Sequence, residues 1–83
     1  MLTLRIEKAV IKALEKINEP YYSKIKSAIL NLAENPRPPG YKKLKGRAGF
    51  RIRVADYRII YEIFDDILQV DVIDLGHRKS IYE

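Results

Sequence analysis

Phe50-Arg51-Ile52-Arg53-Val54-Ala55-Asp56-Tyr57-Arg58-Ile59-Ile60-Tyr61 alternates apolar and cationic residues, breaks once, and alternates again. Successive side chains of a strand point to opposite faces, so the apolar set faces a core and the arginines face outward together. With Ala55-Asp56 as a two-residue hairpin loop, Val54 pairs with Tyr57, Arg53 with Arg58, Ile52 with Ile59 and Arg51 with Ile60. Two arginines directly opposite one another repel, and like-charge cross-strand pairs destabilise a sheet. Such an arrangement implies an anionic partner, and phosphate is the obvious one.

The sequence continues the hairpin through Phe64 to Asp65-Asp66, a turn signal weaker than Asn-Gly. A last strand is expected from Ile67 to Leu75, broken by Gly76. If Asp65-Asp66 is also a two-residue loop, Ile63 opposes Leu68, Tyr61 opposes Val70 and Ile59 opposes Val72. One sheet face is then apolar. The other shows Arg51, Arg53, Arg58, Ile60, Glu62, Gln69, Asp71 and Ile73. A one-residue slip would exchange the faces and bury three arginines, so it is rejected.

Upstream, Leu2, Leu4 and Ile6 alternate as a short strand. The period then changes. Val10, Ala13, Leu14 and Ile17 form a helical stripe that Asn18 ends. Pro20 suits the first position of a second helix, whose stripe is Tyr22, Ile25, Ile29 and Leu32. Asn35-Pro36 stops it, because the residue before proline is pushed out of helical geometry. Arg37-Pro38-Pro39-Gly40 is a connector, and Tyr41 to Gly49 reads as a basic loop. The expectation is an α+β fold in the order β-α-α-β-β-β. A helical hairpin packs on one face of a mainly antiparallel, twisted sheet of about four strands.

At 83 residues the chain is expected to form a single domain, spanning 1–83. It has no cysteine and one histidine, which excludes an ordinary zinc site. No apolar run reaches the length of a membrane span and no secretory signal opens the chain, so a cytoplasmic protein is expected. The net charge is +5, and it is local. Arg37, Lys42, Lys43, Lys45, Arg47, Arg51, Arg53 and Arg58 make up half of the 16 basic residues, with Asp56 the single acid in that segment. A clustered basic patch is the footprint of nucleic acid or an acidic protein. Asp71 and Glu62 offer salt bridges, but exposed pairs contribute only about 0–1 kcal/mol. The arginines also outnumber the nearby acids once Arg78 joins from the tail. Carboxylate clusters for two metals, phosphate-binding glycine frames and a nucleophilic triad are all absent. A helix-turn-helix is disfavoured because the cations lie on strands and loop.

Lys43-Leu44-Lys45-Gly46, Phe50 to Val54, Asp56 to Tyr61, and Gly76-His77-Arg78 with Tyr82 together resemble the RelE/ParE superfamily of type II toxins. The resemblance covers essentially the whole chain, and the element order matches. In the RelE branch it implies a messenger-RNA endonuclease in the ribosomal A site that works without metal or cofactor. The ribose 2′-hydroxyl attacks the adjacent phosphate and leaves a cyclic phosphate and a 5′-hydroxyl. Such chemistry needs a base, cations around the crowded phosphate, and a proton for the leaving oxygen.

Carried over by position, Arg51 and Arg53 stand where that branch usually has lysines. Arg58 and Arg78 match its arginines, Tyr82 its near-terminal tyrosine, and His77 is an additional ionisable group. Lysine can act as a base, but arginine, with a pKa above about 12, cannot. Arg51 and Arg53 are therefore expected to clamp phosphate, Arg58 and Arg78 to stabilise the phosphorane, and His77 or Tyr82 to move protons. Lys42, Lys43, Lys45 and Arg47 are expected to steer RNA or ribosome, with strong salt dependence. The resemblance also implies a cognate acidic antitoxin. Two alternatives stand beside the nuclease: a ParE-type inhibitor of DNA gyrase that acts by binding, and a silent member that only binds RNA or protein.

Overall fold

The computed structural model describes residues 1–77. Strand β1 (Thr3–Ile6) leads into helices α1 (Lys8–Glu15) and α2 (Tyr21–Asn31). Strands β2 (Lys42–Lys43), β3 (Phe50–Val54), β4 (Tyr57–Phe64) and β5 (Gln69–His77) follow. They form one sheet in the order β1-β5-β4-β3-β2. β1 runs parallel to β5, and the other neighbours are antiparallel. The expected α+β architecture holds, with one strand more than expected. That strand is β2, which the basic loop contributes: Lys42 pairs with Arg51 and Lys43 with Phe50. A two-residue strand carries no periodic signal of its own.

Both helices cover one face of the sheet. Val10 from α1, Ile25 and Ile29 from α2, and Leu32 just beyond it meet Ile52, Ile59, Tyr61, Val70, Val72 and Leu75 in one buried cluster. Pro20 caps α2 from the position before its first residue. Glu19 completes that end: its carboxylate accepts the Ser23 N–H (3.0 Å) and the Ser23 hydroxyl (2.7 Å). This covers a backbone donor that has no partner within the helix. These hydrogen bonds hold the Glu19 carboxyl below its ordinary range.

The connector after α2 is tied to the sheet at two points. The buried Tyr61 hydroxyl donates to the Pro36 carbonyl at 2.7 Å, and Arg37 reaches Asp65 at 2.8 Å. Leu44, 5% exposed, plugs the loop that follows, and its N–H donates to the Gly49 carbonyl at 3.1 Å. Gly49 has φ +118°, where an L side chain is strained, and a Cβ there would lie 3.1 Å from the Tyr61 carbonyl oxygen.

The first hairpin pairs as expected, from Val54 with Tyr57 to Arg51 with Ile60. The second does not. Ile63 opposes Val70 and Tyr61 opposes Val72, so four residues, Asp65 to Leu68, form the turn instead of two. Leu68 takes the left-handed region (φ 52°) that closes it. This shift of two residues leaves the faces unchanged. A bulge between Ile60 and Tyr61 then shifts the pairing once more, so that Ile60 faces Asp74, Ile59 faces Leu75, Arg58 faces Gly76 and Tyr57 faces His77. The odd residue rotates everything beyond it. Leu75 turns into the core, and Asp74 turns outward. Gly76 does not end β5, which runs on to His77, because an extended glycine is compatible with a ladder.

Candidate functional site

The outward face of the sheet carries the cations. Arg53 and Arg58 are opposed on β3 and β4, and Arg51 lies opposite Ile60 with Lys42 on its other side. Opposed residues place their Cβ atoms about 4.5–5.5 Å apart, so four positive side chains share one small area. Arg53 and Lys42 are exposed, while Arg51 and Arg58 are half-buried with their Nε atoms below the surface. Arg51 and Arg58 both lie down on apolar ground, with part of the guanidinium itself covered.

The ground is Ile60. The alternation reads it as part of the displayed face, yet it is 1% exposed. It lies between Arg51 and Asp74 in the register, and diagonal to Arg58. The centre of the face is therefore dry, and charge interactions gain strength where water is excluded. Opposite Arg58 stands Gly76, which puts no side chain on this face. Neither the glycine's position nor Asp74's was legible beforehand, since both follow from the bulge.

Other expected site residues are not brought there. His77 is the cross-strand partner of Tyr57 and meets its ring edge-on at 5.6 Å. Tyr57 packs against the core on the helix side and also touches Tyr21 of α2 at 6.0 Å. His77 thus lies on the face away from Arg53 and Arg58. Lys43 alternates with Lys42 and falls beside Phe50, away from the arginines. Lys45 and Arg47 are exposed in the following loop. Arg78 and Tyr82 lie outside the described residues.

A second feature adjoins the cations. β2 covers the edge of β3 only at Phe50 and Arg51. Pro38-Pro39, without N–H groups, cannot extend that pairing. A groove of about 480 Å³ opens there between α2 and the edge, lined by Ala28, Asn31, Pro38, Pro39, Ile52 and Val54, with Lys42, Arg51 and Arg53 at its wall.

Comparison with known proteins bears on the family and the fold. The family model "ParE toxin of type II toxin-antitoxin system, parDE" matches residues 4–82. No curated protein matches. Among solved structures, the archaeal RelE–RelB complex from Pyrococcus horikoshii superposes with a TM-score of 0.83 at 26% identity, covering 96% of this chain and 98% of that one. The RelB–RelE antitoxin–toxin complex from Methanococcus jannaschii is 30% identical with a TM-score of 0.73, covering 94% of each chain. The intact E. coli RelBE toxin–antitoxin complex shares the fold at a TM-score of 0.78 and 24% identity, covering 93% of this chain and 96% of that one. Matched over nearly its whole length by sequence and by fold, the chain belongs to the RelE/ParE superfamily of type II toxin–antitoxin toxins.

Proposed function

We propose that this toxin cleaves messenger RNA on the ribosome by attack of a ribose 2′-hydroxyl on the adjacent phosphate, without metal, and so stops translation in the cytoplasm. The observation that carries the reading is the set Arg51, Arg53, Arg58 and Lys42, gathered on one face around the buried Ile60. A sheet gains nothing in stability from opposing Arg53 and Arg58. A phosphate between them gains bidentate, charge-assisted contacts, and their charge is in place before the phosphorane forms. Arg51 and Arg53 clamp the phosphate, and Arg58 and Arg78 stabilise the transition state. Tyr82 serves in proton transfer. His77, on the opposite side of the sheet, holds Tyr57 instead.

Lys43, Lys45 and Arg47 add long-range attraction to ribosomal RNA. The partner that silences the toxin is an acidic antitoxin. A segment with alternating acidic and apolar residues suits the groove beside β3, where it meets both Ile52/Val54 and Lys42/Arg53. The family model's own name favours a second reading, binding and inhibition of DNA gyrase with no hydrolysis.

A translation extract separates the two. Under the first reading, ribosome-bound message is cut by the wild type, Arg78→Ala abolishes cleavage, and Tyr82→Phe reduces it. Gyrase-dependent DNA breaks with messages intact would replace the first reading by the second.

A further inference from the structure

Arginine cannot give up its proton, His77 lies on the other face of the sheet, and neither Tyr82's proton-transfer role nor Lys42's charge names the group that takes the 2′-hydroxyl proton. The bulge supplies a candidate. Bulges re-aim side chains and gather beside active sites. This one turns Leu75 into the core and brings its neighbour Asp74 onto the arginine face. Asp74 is exposed and stands opposite Ile60, with Arg51 on the far side of that isoleucine. Neighbouring strands lie about 4.8 Å apart, so the Asp74 and Arg51 backbones flank Ile60 at roughly 10 Å. Arg58 is diagonal to Asp74, about 7–8 Å away along the sheet.

A phosphodiester resting over Ile60 would therefore have guanidinium groups on one side and a carboxylate on the other. The remaining acids of this face are worse placed. Glu62 and Asp71 are cross-strand neighbours of each other, further along β4 and β5 toward the Asp65–Leu68 turn. Asp71 Oδ1 is already engaged by Gln69 Nε2 at 2.7 Å. Asp74 uses Oδ1 to accept the Leu75 N–H at 2.9 Å, a local bond that orients the carboxylate and does not engage Oδ2.

We infer that Asp74 is a catalytic residue, the general base that takes the 2′-hydroxyl proton of the RNA; this rests on the ribonuclease reading above. As the O2′–H proton passes to the Asp74 carboxylate, the O2′–P bond forms and the P–O5′ bond breaks. The departing 5′-oxygen takes a proton supplied in the end by water, and Asp74 returns its own to solvent, so no proton is gained or lost overall. An aspartate is a weak base, and here its task is made easier by cations that stabilise the charge developing on the phosphate.

The test compares wild type, Asp74→Asn and Asp74→Ala on a ribosome-bound message in single-turnover cleavage. Binding to the same message with a 2′-O-methyl group at the scissile position, and thermal unfolding, are measured in parallel. Asp74→Asn keeps an oxygen for the Leu75 N–H and removes only the basic group. The expected result is a cleavage rate lower by about 10²–10⁴-fold in both variants, with Asp74→Asn matching wild type in affinity and melting temperature. Asp74→Asn cleaving within about threefold of wild type would overturn the assignment while the nuclease reading stood. Loss of cleavage with a parallel loss of affinity or stability would overturn it too, in favour of a structural role. A wild-type protein that leaves the message intact removes the nuclease reading and the base together.

Discussion

Tyr61 is 0% exposed, and its hydroxyl donates to the Pro36 carbonyl at 2.7 Å. Tyr61→Phe preserves the ring against Phe50, at 6.0 Å between centroids, and deletes that one bond. A net hydrogen bond is worth about 1 kcal/mol, and the carbonyl left without its donor raises the expected loss to ~1.5 kcal/mol. In a domain of this size 1 kcal/mol moves Tm by about 4–8 °C, so Tm should fall by roughly 6–12 °C. Alkaline pH supplies a second, independent signature. Burial pushes the Tyr61 hydroxyl up from 10.0 to about 12.

Between those values the folded chain holds a proton that the unfolded chain has released, so this contribution to stability is complete below pH 10 and is lost as pH rises toward 12. At about 1.4 kcal/mol per pH unit, wild type surrenders its ~1.5 kcal/mol advantage over Tyr61→Phe by about pH 11. Urea unfolding followed by circular dichroism, from about pH 8 to about pH 11.5, yields both stability curves. They should cross. A Tm loss under about 2 °C, or a gap between the curves that does not change with pH, would refute the reasoning.

Gly49→Ala should destabilise by about 1–3 kcal/mol through strain at φ +118° and a Cβ 3.1 Å from the Tyr61 carbonyl oxygen. Gly40→Ala, with open space around it, should cost less, and chemical denaturation of the pair checks the order. Arg53→Ala should weaken RNA binding and lower the slope of log K against log salt by about 1. Its melting temperature should hold or rise, because the repulsion with Arg58 is gone; a clear fall would count against the opposed-cation account. Arg37 holds the Asp65 carboxyl below its ordinary range through a hydrogen bond and its charge, so NMR titration of Arg37→Ala should show Asp65 moving upward.

The register of the first hairpin was readable because Phe50 to Val54 alternates without a break and one register alone keeps three arginines out of the core. The burial of Ile60 was not. The helices were readable from their stripes. The second hairpin was not, since Leu68 adopts a left-handed conformation that leucine does not advertise, and the turn takes four residues where two acids suggested two. The bulge had no local signal either. Its effect on function is larger than on fold: Val70 and Val72 stay in the core under either register, while Asp74, Gly76 and His77 change sides. Cation positions on β3 and β4 were thus legible, and what faces them from β5 was not.

Among the described residues no strand pairs with the outer margin of β3 from Ile52 to Val54, and this has a consequence for handling the protein. Unsatisfied strand margins invite other chains to zip onto them, and charged side chains are a common safeguard. Arg53 is the one charge in that tripeptide, flanked by two β-branched apolar residues. It guards against self-association as well as binding anions. Variants that neutralise it should be compared at low concentration with light scattering in parallel, or precipitation will be mistaken for weakened affinity.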